Sequence, residues 1–290
     1  MLEEYLVTDM AADAMERQSL TDIASAKPLS YGIVKRTADL TSPALAKRLG
    51  REAGVYVTFD APPSALFSDR ALRSLANHLA GALVGLTGVQ GAGSRVLAVG
   101  LGNDEIAADR LGDAAVKLLR VTPASAQGGK RRRVRLSAFS AGVEGVTGIR
   151  TVEVVEGVCS RVRPSCVIAI DSLATASPSR LGTSFQLTTA GITPSGGLGA
   201  GRAPVCRAAL GVPVIGIGVP LVLSLRTALS DLVRDYAAAT GRDADEFAAR
   251  RLIGESDLSS LVVAPKDVAS KVERAARVIA DAVNIAFGEQ

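Results

Sequence analysis

The 290-residue sequence predicts an α/β fold, a single domain in which a mostly parallel or mixed central sheet is covered by helices on both faces. Two patterns and one compositional fact lead there. From about residue 55 onward, short apolar runs alternate with amphipathic stretches of helical period. Several runs are apolar at every position instead of every second one, the pattern of strands buried on both sides. Hydrophobic residues make up 48% of the chain, yet aromatics make up 3% and Trp is absent, so the core has to be built from Ala, Val, Leu and Ile. That inventory suits a covered parallel sheet.

The strands, in order, are VYVTF at Val55–Phe59, RVLAVGLG at Arg95–Gly102, VIAID at Val167–Asp171 and VPVIGIGVP at Val212–Pro220. SFQLTT at Ser184–Thr189 and LVVAP at Leu261–Pro265 are weaker strand candidates. Helical periodicity covers Asp69–Leu86, Asp109–Arg120, Thr151–Val162, Ser224–Thr240 and Pro265–Phe287. The last stretch opens with Pro265, whose missing N–H costs nothing in a first turn, and aligns Val268, Val272, Ala275, Ala276, Ile279 and Val283 on one stripe. Residues 1–50 are more polar and lack clear periodicity, which reads as a mobile lead segment. No internal repeat or long linker interrupts the chain, so one domain is expected.

Several function classes drop out. The net charge of +4 is too mild to imply direct nucleic-acid binding. The amino terminus, MLEEYLVTDM, carries acids where a secretion signal needs positive charge. The most apolar stretch, Leu79–Val89, has eleven residues, against about 20 for a membrane-spanning helix. A soluble, cytoplasmic protein with no membrane partner is expected. Cys159, Cys166 and Cys206 are odd in number and form no C-x-x-C pair, as in reduced cytosolic thiols. Cys159 and Cys166 flank a helix–strand joint, where a small buried apolar residue is expected.

A single histidine does most of the elimination. Serine and cysteine nucleophiles need an imidazole base, and His78 lies inside a helical pattern with no G-x-S-x-G elbow in the chain. It reads as a packing or surface histidine. Zinc motifs built on His and Cys are missing, and an all-oxygen Mg²⁺ or Ca²⁺ site is not tested by such counting. VGLGN at Val99–Asn103 follows a strand, but Glu105 stands where a dinucleotide fingerprint needs its third glycine, and no phosphate-binding P-loop occurs. No cofactor is called for.

Carboxylates remain. Functional groups of an open α/β sheet gather beyond the carboxyl ends of the strands. Asp171 terminates VIAID, and Asp109 follows the VLAVGLG strand by one loop and heads the next helix. Two converging carboxylates can divide into an ionised base and a protonated acid. Taken singly, Asp109 reads as a helix N-cap and Asp171 as a loop-start carboxylate bonding to nearby amides.

Four segments, VGLGN-x5-DRLGDAAV (Val99–Val116), SAGVEGVTGI (Ser140–Ile149), VIAIDSLA (Val167–Ala174) and GITPSGGLGAGR with LGVPVIGIGVP (Gly191–Arg202, Leu210–Pro220), resemble the germination protease family in order and spacing. APKDV at Ala264–Val268 and VTDMAADA at Val7–Ala14 resemble its closing and opening blocks. The resemblance implies a fold like that of hydrogenase maturation proteases, with Asp109 and Asp171 as the catalytic pair and no metal. It implies an endopeptidase that degrades the small acid-soluble proteins of the spore during germination, located in the spore core, and assembled as a homotetramer. Other readings on the same fold are a metal-assisted peptidase using the two aspartates as ligands, and a non-catalytic binder of spore proteins. The family is also made as zymogens. Thr8-Asp9-Met10-Ala11 repeats the chemical pattern of its substrate sites, which marks Asp9–Met10 as an autoprocessing bond, residues 1–9 as a candidate propeptide and residues 10–290 as the peptidase domain.

Gly191–Arg202, with five glycines and one proline, reads as a mobile loop, either a rim beside the carboxylates or an ordinary long connection. Gly191, Ser195, Gly196, Gly197 and Arg202 are its substrate-contact candidates, and Ser195, Gly196, Gly197 and Ala200 depart from the family's usual Gly-Ser-Gly and Asn. The basic run KRRRVR at Lys130–Arg135 reads as a solvated loop entering a strand, with a contact to acidic substrate, or to DNA on which substrate is displayed, as the sharper alternative.

Overall fold

Nine strands form one mixed sheet in the computed structural model, which describes residues 8–89, 91, 93–123, 134–194, 203–241 and 261–288. The strands are β1 (Ala24–Pro28), β2 (Val34–Leu40), β3 (Gly54–Asp60), β4 (Arg95–Leu101), β5 (Arg135–Gly142), β6 (Cys166–Thr175), β7 (Ser184–Thr188), β8 (Val214–Ser224) and β9 (Val262–Val263). Their order is β1-β2-β3-β7-β8-β6-β4-β5, with β9 against the end of β8. Pairs among β5, β4, β6 and β8 are parallel, and pairs from β8 out to β1 are antiparallel. The expected α/β fold with a mixed sheet is the observed one.

The helices are α1 (Ala11–Arg17), α2 (Pro43–Arg48), α3 (Asp69–Thr87), α4 (Leu111–Val116), α5 (Glu144–Thr147), α6 (Thr151–Val162), α7 (Arg207–Leu210), α8 (Leu225–Thr240) and α9 (Val268–Phe287). Strand alternation divides the core into two layers. On one face, Phe59, Ile168, Ile170, Phe185 and Ile217 pack under α3, α4 and α9. On the other, Leu97, Val99, Val167 and Ala169 meet Val155 and Cys159 of α6. Each fully buried Val, Leu or Ile of these layers contributes about 1.5–3 kcal/mol.

Local chemistry sets the helix ends. Ser68 caps α3 by accepting from the Ala71 N–H, and Gly88 closes it in the left-handed conformation at φ 61°. Ser224 caps α8 in the same way.

Four expectations need correcting. The lead segment is built into the domain: residues 8–50 supply α1, β1, β2 and α2, held by a small core of Met15, Leu40, Leu49 and Tyr56. β1 is the antiparallel edge strand and β2 lies next to it, both half solvated, so their pattern is polar and is not legible as periodicity. The helix expected over Asp109–Arg120 spans only Leu111–Val116. Pro265 precedes α9 instead of opening it, its carbonyl receiving the Val268 N–H in the entering turn, and LVVAP contributes only Val262–Val263 as strand. The basic run enters β5 as expected at Arg135, while its residues 130–133 lie outside the described residues.

Candidate active site

Asp171 is fully buried, at 0% exposure, and its Oδ1 accepts the Ser172 N–H at 2.8 Å. It was expected at the end of its own strand, but β6 runs on to Thr175. The reason lies in its neighbours. β4 stops pairing with β6 at Gly100 opposite Ile170, so Asp171 is the first β6 residue past that pairing, while β8 continues alongside to Thr175. The acid after the apolar run marks where pairing with the neighbouring strand ends.

Asp109 lies on the loop between β4 and α4 and does not cap the helix, which starts at Leu111 with Arg110 before it. Its Oδ2 accepts the Asn103 N–H at 2.8 Å, and its own N–H donates to the Ile106 carbonyl at 2.8 Å, which closes the loop. Gly102 turns into that loop at φ 98°, and a Cβ there would collide with the Asp109 carbonyl oxygen. α4 packs on both β4 and β6, with Gly112 against Leu101 and the Ile170 carbonyl, so the Asp109 loop leaves β4 beside the stretch of β6 that carries Asp171. Asp109 lines a cavity of ≈ 210 Å³ together with Asn103, Glu144, Arg150 and Pro194.

A second cavity measures ≈ 220 Å³. Its walls include Asp9, Arg51, Leu173, Gln186, Gly191 and Gly218. Of the loop candidates, Gly191 lines this cavity, and Ser195, Gly196, Gly197 and Arg202 lie outside the described residues.

The segment Thr8–Ala11 is docked along this cavity on the sheet. The Asp9 N–H donates to the Ala174 carbonyl at 2.9 Å, and the Ala174 N–H donates to Asp9 Oδ2 at 2.7 Å. Gln186 Nε2 donates to the Asp9 carbonyl at 2.9 Å, and its Oε1 accepts the Ala11 N–H at 2.8 Å. Arg51 Nη2 reaches the Thr8 carbonyl at 2.5 Å. Met10 is 0% exposed, so the expected picture of a chain end free to reach a cleft gives way to one already seated there. Burial raises the Asp9 pKa above its ordinary value, with the Ala174 hydrogen bond and the Arg51 charge acting in the opposite direction.

Downstream, Asp13 anchors the segment. Its Oδ2 accepts from Thr8 Oγ1 (2.6 Å), Thr175 Oγ1 (2.8 Å) and the Ala176 N–H (2.7 Å), and its Oδ1 accepts from Arg180 Nη1 at 2.5 Å. Arg180 also pairs with Glu16. Gln186, Arg51, Asp13 and Arg180 were not singled out from the sequence. Gln186 alone left a trace there, as the inward polar residue of the alternating SFQLTT strand.

His78 stacks near Phe59, with ring centroids 6.5 Å apart, and Phe59 points to the α3 layer, away from the face that carries Asp171. Cys159 and Cys166 are buried free thiols at the α6–β6 joint, as expected, and burial pushes the Cys166 thiol up to about 12. Among the described residues, no helix is long and apolar enough to cross a membrane, and no group of three or more His, Cys, Asp or Glu residues is arranged to hold a metal.

A family profile described as germination protease matches residues 4–253. The chain belongs to the germination protease family. A germination protease from Caldanaerobacter subterraneus subsp. tengcongensis is 32% identical over 97% of this chain and 93% of its own length. The germination protease of Bacillus subtilis is 29% identical over 100% of this chain and 95% of its own. Among solved structures, a [NiFe] hydrogenase maturation protease from Thermococcus kodakarensis matches 66% of this chain and 93% of its own at 14% identity, with a TM-score of 0.35. The resemblance read from the ordered motifs is thus borne out, and membership of the germination protease family makes this chain a peptidase.

Proposed function

We propose that this peptidase is an aspartate-dependent endopeptidase that degrades small acid-soluble spore proteins in the spore core during germination. The observation that carries the reading is the placing of Asp171, buried just past the last β4–β6 pair and on the strand against which Asp9 is docked. In the proposed hydrolysis, one carboxylate of the pair Asp109 and Asp171 takes a proton from the attacking water. The other gives a proton to the leaving amine.

The enzyme is made as a zymogen that loses residues 1–9 by cutting Asp9–Met10. The docking of Thr8–Ala11 on β6 and Gln186 supports this assignment. It acts as a homotetramer. Support comes from α8, which exposes Leu232 at 64% and Tyr236 at 54% on a helix with little burial of its own.

Incubation with a purified small acid-soluble spore protein, with and without a strong chelator, tests the reading. Cleavage unaffected by the chelator is expected. Loss of cleavage with the chelator turns the aspartates into metal ligands, and an intact substrate in both arms makes the chain a non-cutting binder. Light scattering tests the assembly, and a particle of 29.8 kDa would overturn the tetramer.

A further inference from the structure

Gln186 is 4% exposed, and both ends of its carboxamide are taken by one short piece of chain. Nε2 donates to the carbonyl oxygen of Asp9 at 2.9 Å, and Oε1 accepts the N–H of Ala11 at 2.8 Å. The donor and acceptor so assigned straddle the Asp9–Met10 peptide bond. Gln186 is also in register with Gly218, and Gly218 with Asp171. Residues paired across a sheet share a face, so Gln186 and Asp171 point the same way, two strand spacings or about 10 Å apart. The residue between them has no side chain.

We propose that Gln186 is a catalytic residue of the peptidase, a clamp that spans the scissile bond and donates its Nε2–H to the carbonyl oxygen as negative charge develops there. The proposal rests on reading Asp9–Met10 as the self-cleavage bond. Water oxygen bonds to the Asp9 carbonyl carbon, and the C=O electron pair moves onto the oxygen held by Gln186. On collapse the C–N bond breaks, and the nitrogen leaves as the amine of Met10. One water is consumed, one carboxyl and one amine appear, and Gln186 neither gains nor loses a proton. Removing a donor aimed at such an oxygen slows hydrolysis by roughly 10²–10³-fold.

The test compares wild type, Gln186→Glu, Gln186→Met and Asp171→Asn as full chains. Each is incubated with a synthetic peptide containing Thr-Asp-Met-Ala, and mass spectrometry follows both the peptide and the chain's own amino terminus. Thermal unfolding of each chain is recorded alongside. Both Gln186 variants should lose roughly 10²–10³-fold in kcat on the peptide, with KM within about threefold and a comparable loss in self-cleavage. A protonated Glu regains an O–H donor, so the ratio of Gln186→Glu to wild-type activity should climb as pH falls. Gln186→Met should stay low at every pH, which a residue that merely anchors the segment has no reason to produce.

Turnover within threefold of wild type in a folded Gln186→Met chain, or a loss confined to KM, overturns the proposal. Impaired Gln186 variants beside an active Asp171→Asn chain would leave Gln186 standing and remove the carboxylate mechanism. A wild-type chain that cuts neither the peptide nor itself overturns both.

Discussion

Asp171 of β6 and Gln186 of β7 lie on one transverse row of the sheet, separated only by Gly218 of β8. The row continues outward from Gln186 through Thr58 to Arg36. A line of polar side chains on a sheet face is costly to bury unless something satisfies it: Asp9 and Ala11 take both ends of Gln186, Asp60 pairs with Arg36, and the Ser172 N–H donates to Asp171.

The first prediction concerns the aspartates. Asp171→Asn and Asp109→Asn keep the side-chain shape and remove the titratable group, so each should abolish cleavage of spore protein while circular dichroism is unchanged. His78→Ala should retain most activity, since its ring lies in the opposite layer against Phe59. Near wild-type turnover in Asp171→Asn, or a collapse in His78→Ala, would reverse the assignment.

Gly218 supplies a second. A Cβ at this position would sit 2.6 Å from Leu173 Cγ and 2.7 Å from the Asp171 carbonyl oxygen. The backbone oxygen cannot step aside without breaking the β6–β8 register, so Gly218→Ala should cost about 1–3 kcal/mol. Thermal unfolding should fall by several degrees, and a variant as stable as wild type would mean that the row is wrongly drawn.

The parallel half of this sheet was legible because strands buried on both faces leave uninterrupted runs such as VIAID and VPVIGIGVP. The edge strand β1 and its neighbour β2 were not, because Ala26 and Lys27 face water and Arg36 pairs with Asp60, so they write no period. Asp109 and Asp171 stand out in the sequence because Asp109 follows the β4 run and Asp171 closes the apolar run VIAID, each within a recognisable motif. Arg51, Asp13 and Arg180 could not, since their meaning comes from contacts across long sequence separations, 43 residues for Arg51 to Thr8 and 167 for Arg180 to Asp13. No local pattern records such a pairing.

Asp13 and Arg180 carry a third prediction. Asp13 is 2% exposed and Arg180 8%, and the carboxylate satisfies four donors. Removing this carboxylate takes the acceptor from Thr8, Thr175 and the buried Ala176 N–H, while Arg180 keeps Glu16, at a cost of about 1–3 kcal/mol. Asp13→Ala should lower the midpoint of denaturant unfolding accordingly and speed amide exchange across residues 8–17. If exchange in that segment is unchanged, the anchor lies elsewhere.

The last prediction follows from the titration of Asp9. Docking withdraws its carboxyl from water and raises its pKa above the ordinary 3.8, while the Ala174 amide and Arg51 oppose the shift and Asp13 adds to it. Between 3.8 and the raised value, the docked state therefore holds more proton than a released segment does. Docking must then weaken as pH rises through that window, with no further change below it, where both states are protonated. The Asp9–Met10 bond is thus held most firmly beside β6 on the acidic side. Limited proteolysis of residues 8–17 should accelerate as pH rises from 3.8 through the raised value, and the fragment beginning at Met10 should form faster on the acidic side of that window. Asp9→Asn keeps an oxygen to accept from Ala174 but cannot ionise, so it should flatten the pH dependence of protection. Protection that grows as pH rises, or a slope that survives Asp9→Asn, would show that another group controls the segment.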